Sequence, residues 1–435
     1  MTDSFPTLTA TTSWLELLQP PSRAALEALL PAYIQPRRWF GAKARGIATA
    51  RIADTISIRY GAEQAALTLV ELGYGEGSPD TYVLPLAFAA GARADDLAGT
   101  LPHAVVARVH SAGDQHGLLY DALLERGFCA ALLELIANGG RLGGEFGAIQ
   151  ASPTSAFARL RGPSAQPLEP KIVTAEQSNS SIIYGDRLIM KLFRRLAPGL
   201  NPDPEIGRFL TKHNFAHVPP AAGTLEYHSL HAEPSSLAFL QGFAPNQGDA
   251  WDFTLGELSD YFKRKLASQD AAHASGQLSA RTMLDLSRSE LPRPAEQAIG
   301  NYLGRAQLLG RRTAELHLAL AIADESEPDF RPEPFGPADQ RAIYESMHSR
   351  AGQSFETLRS VLESGGLPQA LHSGAAQVLG LESQVFAHYQ ALLEHRFTAM
   401  RTRLHGDYHL GQVLYTGTDF MIIDFEGEPA RPLSE

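Results

Sequence analysis

Cysteine is nearly absent from this 435-residue chain: Cys129 is the only one. That excludes an internal disulfide and a cysteine zinc cluster. Set in "ERGFCAALLELI", which reads as an amphipathic helix, it is expected to be a buried, inert thiol. Long apolar runs are missing too. Nothing approaches the ~20 residues a membrane span needs, and the N-terminal "MTDSFPTLTATTSW" has neither the basic start nor the apolar core of a secretion signal. Positive charge is scarce: 37 Lys and Arg stand against 48 Asp and Glu, a net charge of −11. That argues against nucleic-acid binding, which would want a basic face to neutralise phosphates. It does not exclude a nucleotide substrate, because one lysine and one or two magnesium ions can supply the local positive charge. There is no internal repeat, no GxGxxG loop and no histidine pair at zinc spacing. The expectation is a cytoplasmic protein that binds neither nucleic acid nor membrane.

What is present is ordinary for a soluble globular protein, 44% apolar and 20% charged residues. The length calls for two or three packed units. In residues 1–100, "SWLELLQPPSRAALEALLPAYI" has helical spacing broken at Pro20 and Pro21, and "IATARIADTISIRY" and "AALTLVELGY" read as strands. Residues 101–243 continue sheet-rich. "NGGRLGGEFGAI" reads as a loop and "RGPSAQPLEP" as a connection. "SNSSIIYGDRLIMKLFRR" is a strand, a tight turn and a strand, and "NPDPEIGRFL" opens a helix with acidic residues in its first turn. Residues 244–435 turn mainly helical. The fold class expected is α+β and bilobal, with a small α/β cap at the N-terminus.

The chemistry-bearing stretch is "LHGDYHLGQVLYTGTDFMIIDFEGEP". Asp407 and Gln412 flank the entry to one strand of a hairpin and Asp424 ends the other, so the three can converge. Carboxylates and an amide oxygen suit magnesium: Asp407 would take the proton of an attacking hydroxyl, while Gln412 and Asp424 would hold metal. Lys191 lies inside the apolar strand "LIMKLF", where a charge needs a partner. Glu205, at the start of the next helix, is the expected one. Ser178, Asn179 and Ser180 fall where a loop would cover phosphates. His405 reads as a brace for the loop, His409 as a brace or a phosphate contact, and His317 as a core histidine. Arg37, Arg38, Lys43 and Arg45 in "RRWFGAKAR" read as a solvated face over Trp39 and Phe40.

The stretch resembles the H-x-D-x-x-x-x-N loop followed by D-x-[DE] of the aminoglycoside-phosphotransferase-like kinases, which are protein-kinase-like. Within that group it is similar to the bacterial maltokinases, as are "SNSSIIYGDRLIMKLFRRLAPGLNPDPEIGRFL", "APNQGDAWDF" and "RRWFGAK". The resemblance implies ATP- and Mg²⁺-dependent phosphorylation of maltose at its anomeric hydroxyl for α-glucan synthesis. It also implies a link to a trehalose synthase, often fused in this family. Asp407 becomes the catalytic base, Gln412 and Asp424 the metal ligands with Glu426 as a further contact, and Lys191 with Glu205 the phosphate-orienting pair. "FLQGFAP", with Gln241 and Phe243, becomes the adenine-facing link between lobes. For the sugar, Asp249 and Trp251 in "NQGDAW" have suitable chemistry, as does His409; a helix cap by Asp249 over a core Trp251 is the plainer alternative. Such a family continues through further helices beyond Glu435, so a piece of a longer protein is expected. Two other readings stay open: a kinase of another sugar such as glucosamine, and a non-catalytic module that docks a trehalose synthase.

Overall fold

A computed structural model describes residues 5–427 except 112–114, 164, 174–177, 231, 268–284, 286, 292 and 323–324. The chain falls into two compact units, one of residues 1–313 with 405–435 and the other of residues 314–404. Among the described residues the larger contains two seven-stranded sheets and one two-stranded hairpin. The first runs Thr7–Ala10, Val105–Ser111, Gln115–Asp121, Asp80–Ala90, Glu63–Gly73, Thr49–Tyr60, antiparallel except for the first pair. Its central strand Glu63–Gly73 shows how one strand serves two cores. Ala65, Leu67 and Leu69 enter a cluster with Phe128 and Cys129, while Ala66, Val70 and Leu72 enter another with Leu26, Trp39 and Phe40. A strand covered on both faces becomes a continuous apolar run, which is why "AALTLVEL" does not alternate. Cys129 is inert as expected: it is 1% exposed, and burial pushes its thiol up to about 12.

The second sheet is antiparallel throughout, in the order Arg141–Gly143, Gly147–Pro153, Ala221–Ser229, Ser235–Gly242, Leu188–Phe193, Asn179–Tyr184, Pro170–Ile172. The glycine-rich stretch expected as a loop is therefore a hairpin within this sheet. Its tip is held by Asp54, which accepts the N–H groups of Glu145 and Phe146. Beyond Phe193 the lysine-bearing strand crosses to the first sheet. The Val83 N–H donates to the Arg194 carbonyl at 2.7 Å, and Arg195–Leu196 pairs with Thr81 and Tyr82.

The helix Pro202–Lys212 starts as its sequence requires, with Pro202 in the first turn and the Asn201 side chain accepting the Asp203 N–H at 2.9 Å. The hairpin Val413–Tyr415 and Phe420–Ile422 also forms. Residues 247–248 hydrogen-bond to its edge, through Gln247 N–H to the Tyr415 carbonyl at 2.8 Å and Tyr415 N–H to the Gly248 carbonyl at 2.9 Å. Helix Ala250–Ala267 follows and stacks Phe253 on Tyr415 at 4.2 Å.

The smaller unit is helical, built on Pro337–Glu363, His372–Gly380 and Glu382–Glu394, with His348 stacked on Phe386 at 4.2 Å. His317, expected in a core, is exposed; Leu316 and Leu320 of its helix are the buried residues. The α+β class with an N-terminal cap is the one expected. Among the described residues no helix is long and apolar enough to cross a membrane.

Candidate active site

The site is built around one lysine. Pairing between Asn179–Tyr184 and Leu188–Phe193 puts Asn179, Ser181, Lys191 and Phe193 on one face, and Ser180, Leu192 and Arg194 on the other. Lys191 reaches Asp203 at 3.1 Å and also pairs with Asp424 and Glu426. Its expected partner was Glu205. The structure instead uses Asp203, 3% exposed, because two helical residues lie about 200° apart and only one can face the sheet. The second Asp203 oxygen accepts the Phe425 N–H at 3.0 Å, so one carboxylate joins strand, helix and post-hairpin segment.

Three carboxylates surround one ammonium, and their ionisation follows from that count. Burial would discharge Lys191, but the three neighbours hold its pKa well above the usual lysine value. Burial also raises Asp424, yet Lys191 and the Gln412 amide more than offset this and keep it below the ordinary aspartate value. Glu426 stays raised, since burial outweighs its share of the lysine. Oxygens of Asp203, Asp424 and Glu426 all lie within 4.8 Å of one another. Asp424 has φ +68°, a left-handed conformation that aspartate tolerates better than most residues.

The loop before the hairpin is held by His405, 2% exposed. Its Nε2–H donates to the Ile423 carbonyl at 2.9 Å and its Nδ1 accepts the Asp407 N–H at 3.4 Å, with the ring 4.7 Å from Phe425. Burial lowers its pKa, which keeps it neutral and able to serve both partners. Gly406 has φ +87°, and a Cβ there would come within 2.8 Å of the Gly427 Cα, so no other residue fits. This leaves Asp407 half-buried at the mouth of the loop, its carboxylate 3.8 Å from His409 Nε2. His409 caps the turn Leu410–Gln412 by accepting the Gly411 N–H at 3.1 Å, a bracing role. The Gln412 carbonyl accepts the Ile423 N–H at 3.0 Å, which places its side chain beside Asp424.

The remaining expected residues divide. Asn179 joins the site, its Nδ2 donating to Glu426 at 2.7 Å, and Ser178 is exposed beside it. Ser180 does not: strand alternation turns it to the opposite face, where its hydroxyl accepts Arg194 Nε at 2.8 Å. The Phe243 N–H, expected to meet adenine, donates to the Arg187 carbonyl at 2.8 Å. Gln241 lies in the ladder opposite Ile189 and Ala221. Asp249 is a helix cap, accepting the Asp252 N–H at 2.8 Å. Trp251 is not in the core; 53% exposed, it begins an apolar stripe with Leu255, Leu258 and Phe262. Residues 176–177 of the expected phosphate-covering loop lie outside the described residues.

Residues 33–124 match the family model of the maltokinase N-terminal cap domain. A segment that matches a maltokinase cap thus belongs to a chain of kinase-like fold. Its fold is similar to that of glucosamine kinase in complex with glucosamine, ADP and inorganic phosphate, with TM-score 0.53, 18% identity, and coverage of 97% of this chain and 74% of that one. Crystal form A of glucosamine kinase gives TM-score 0.52 at the same identity and coverage. Among curated proteins, it is 24% identical to the glucosamine kinase of Mycolicibacterium smegmatis over 60% of this chain and 52% of that protein. It is 25% identical to that of Streptacidiphilus jiangxiensis over 66% and 54%. The chain thus spans about half the length of the curated relatives it matches.

Proposed function

We propose that this chain is the catalytic part of an ATP-dependent sugar kinase that phosphorylates maltose at its anomeric hydroxyl to give maltose 1-phosphate. The observation that carries it is the meeting of Lys191, Asp203, Asp424, Glu426 and Gln412 beside the loop that presents Asp407. Lys191, held charged, orients the nucleotide phosphates. The acceptor oxygen bonds to the γ-phosphorus, the bond from that phosphorus to the β,γ-bridging oxygen breaks, ADP leaves, and Asp407 takes the hydroxyl proton. His405 fixes the Asp407 backbone for that role, and Asn179 positions Glu426.

The donor set fits magnesium: clustered carboxylate oxygens with an amide beside them, and more negative charge than one lysine neutralises. Asp424, Glu426 and Gln412 would hold the ion, with Asp203 near enough to join them, and it would neutralise charge on the transferred phosphoryl group.

Maltose is preferred as acceptor because of the cap match. Association with a trehalose synthase and supply of α-glucan synthesis belong to the same proposal and rest on the resemblance to maltokinases alone. A second reading, glucosamine as acceptor, is favoured by the names of the relatives. ADP release with ATP and magnesium, measured over maltose, glucose, glucosamine and trehalose, separates the two. Maltose as the best acceptor supports the proposal. Turnover with glucosamine alone would replace it.

A further inference from the structure

The arginines of "RRWFGAK" take no part in the site above. Arg37 and Arg38 line a cleft of about 680 Å³ instead, a size suited to a small-molecule ligand. One wall is Trp39, 4% exposed, with the Arg194 guanidinium 4.9 Å from its ring centre. His103 and the start of the strand Asn179–Tyr184 also line the cleft.

The charges in this cleft do not cancel. Among the described lining residues Asp121 is the only carboxylate, and Arg194 takes it up at 2.6 Å. Arg37 is held in place, donating to the Tyr33 carbonyl at 3.0 Å and lying 4.0 Å over the Tyr33 ring. Arg38 is exposed and has no hydrogen bond or ion pair among the described residues. Two arginines with no carboxylate partner among the described residues thus line one cavity in a chain of net charge −11. A planar fork of N–H donors is the arrangement that recognises phosphate.

We propose that this cleft binds the phosphoryl group of a small phosphorylated ligand, with Arg37 and Arg38 as the recognising pair. The phosphate belongs either to a free sugar phosphate or to a nucleotide whose phosphate chain extends from the Lys191 site. Occupation is coupled to that site through the strand they share. Arg194 donates to Ser180 at 2.8 Å, and the adjacent Asn179 reaches Glu426 at 2.7 Å. The inference holds whichever sugar the Lys191 site accepts.

Calorimetric titration with glucose 6-phosphate, with and without saturating ADP, and with ADP alone tests this on wild type and Arg38→Glu. Arg38 is exposed, so the variant is expected to fold; an unchanged melting temperature checks that, and an Arg37→Ala/Arg38→Ala chain repeats the comparison without charge reversal. At least one ligand is expected to bind and to weaken about tenfold or more in both variants, the effect of losing a charged hydrogen bond. Glucose 6-phosphate binding that saturating ADP leaves intact identifies a free sugar phosphate. Sensitivity of ADP alone identifies the nucleotide chain. Absence of binding by both ligands, or binding that both variants leave unchanged, overturns the proposal.

Discussion

The Lys191 ammonium lies 3.1 Å from the Asp203 carboxylate, whose other oxygen holds the Phe425 N–H at 3.0 Å. Asp203 therefore sets both the lysine and the segment that carries Asp424 and Glu426. Asp203→Asn is expected to lower kcat/KM about tenfold to a hundredfold, the loss of a charged hydrogen bond. Glu205→Gln, on the helix face turned away from Lys191, is expected to lower kcat/KM less than Asp203→Asn does. Steady-state kinetics with ATP as the varied substrate separate the two.

Removing the lysine leaves three carboxylates facing one another. Lys191→Met is expected to cost about 3–5 kcal/mol of stability in urea unfolding, the range for breaking a buried ion pair. The lysine side chain is 16% exposed, which favours the lower end. Added magnesium is expected to return part of the loss, because the oxygens within 4.8 Å of one another are then free for the cation. A magnesium-independent melting temperature in this variant would argue against a metal at the cluster.

Gly406→Ala combines a backbone at φ +87° with a Cβ 2.8 Å from the Gly427 Cα. A loss of about 1–3 kcal/mol is expected from the conformation alone, accompanied by loss of turnover because Asp407 moves with the loop. Thermal unfolding and an ADP-release assay check both.

Much of this site was legible because its residues stand in one short stretch. A hairpin must bring Gln412 and Asp424 together, and a lysine inside "LIMKLF" must find an acid. The misplaced residues fail for a common reason: pattern gives the period of an element but not its phase. Asp203 and Glu205 are both acidic residues in one helical turn, and only docking decides which faces the strand. Asn179 and Ser180 are neighbours of similar chemistry, and strand parity sends one to Glu426 and the other to Arg194. Backbone partners are less legible still: nothing in "FLQGFAP" says that the Phe243 N–H is taken by the Arg187 carbonyl. Asp121, the acid that pairs with Arg194 across the two sheets, carried no signal beyond its place at a strand end.

His405 gives a pH prediction of definite sign. Its folded-state pKa is lowered from the usual 6.5 by burial, so below that value the unfolded chain binds the proton more readily. The stability it contributes is full above pH 6.5 and is lost as pH falls toward the folded-state value. His405→Gln, which keeps a donor for the Ile423 carbonyl, is expected to flatten that part of the stability profile. An unchanged slope in denaturant titrations would show that another group carries it.

The most direct measurement is the turnover of Asp407→Asn beside its affinity for ADP, with the best acceptor from the sugar panel. The expected result is a loss of kcat of about a hundredfold or more, the usual contribution of a positioned proton acceptor, while ADP binds as in the wild type because Lys191 and its acids are untouched. Near-wild-type kcat in Asp407→Asn would contradict the account.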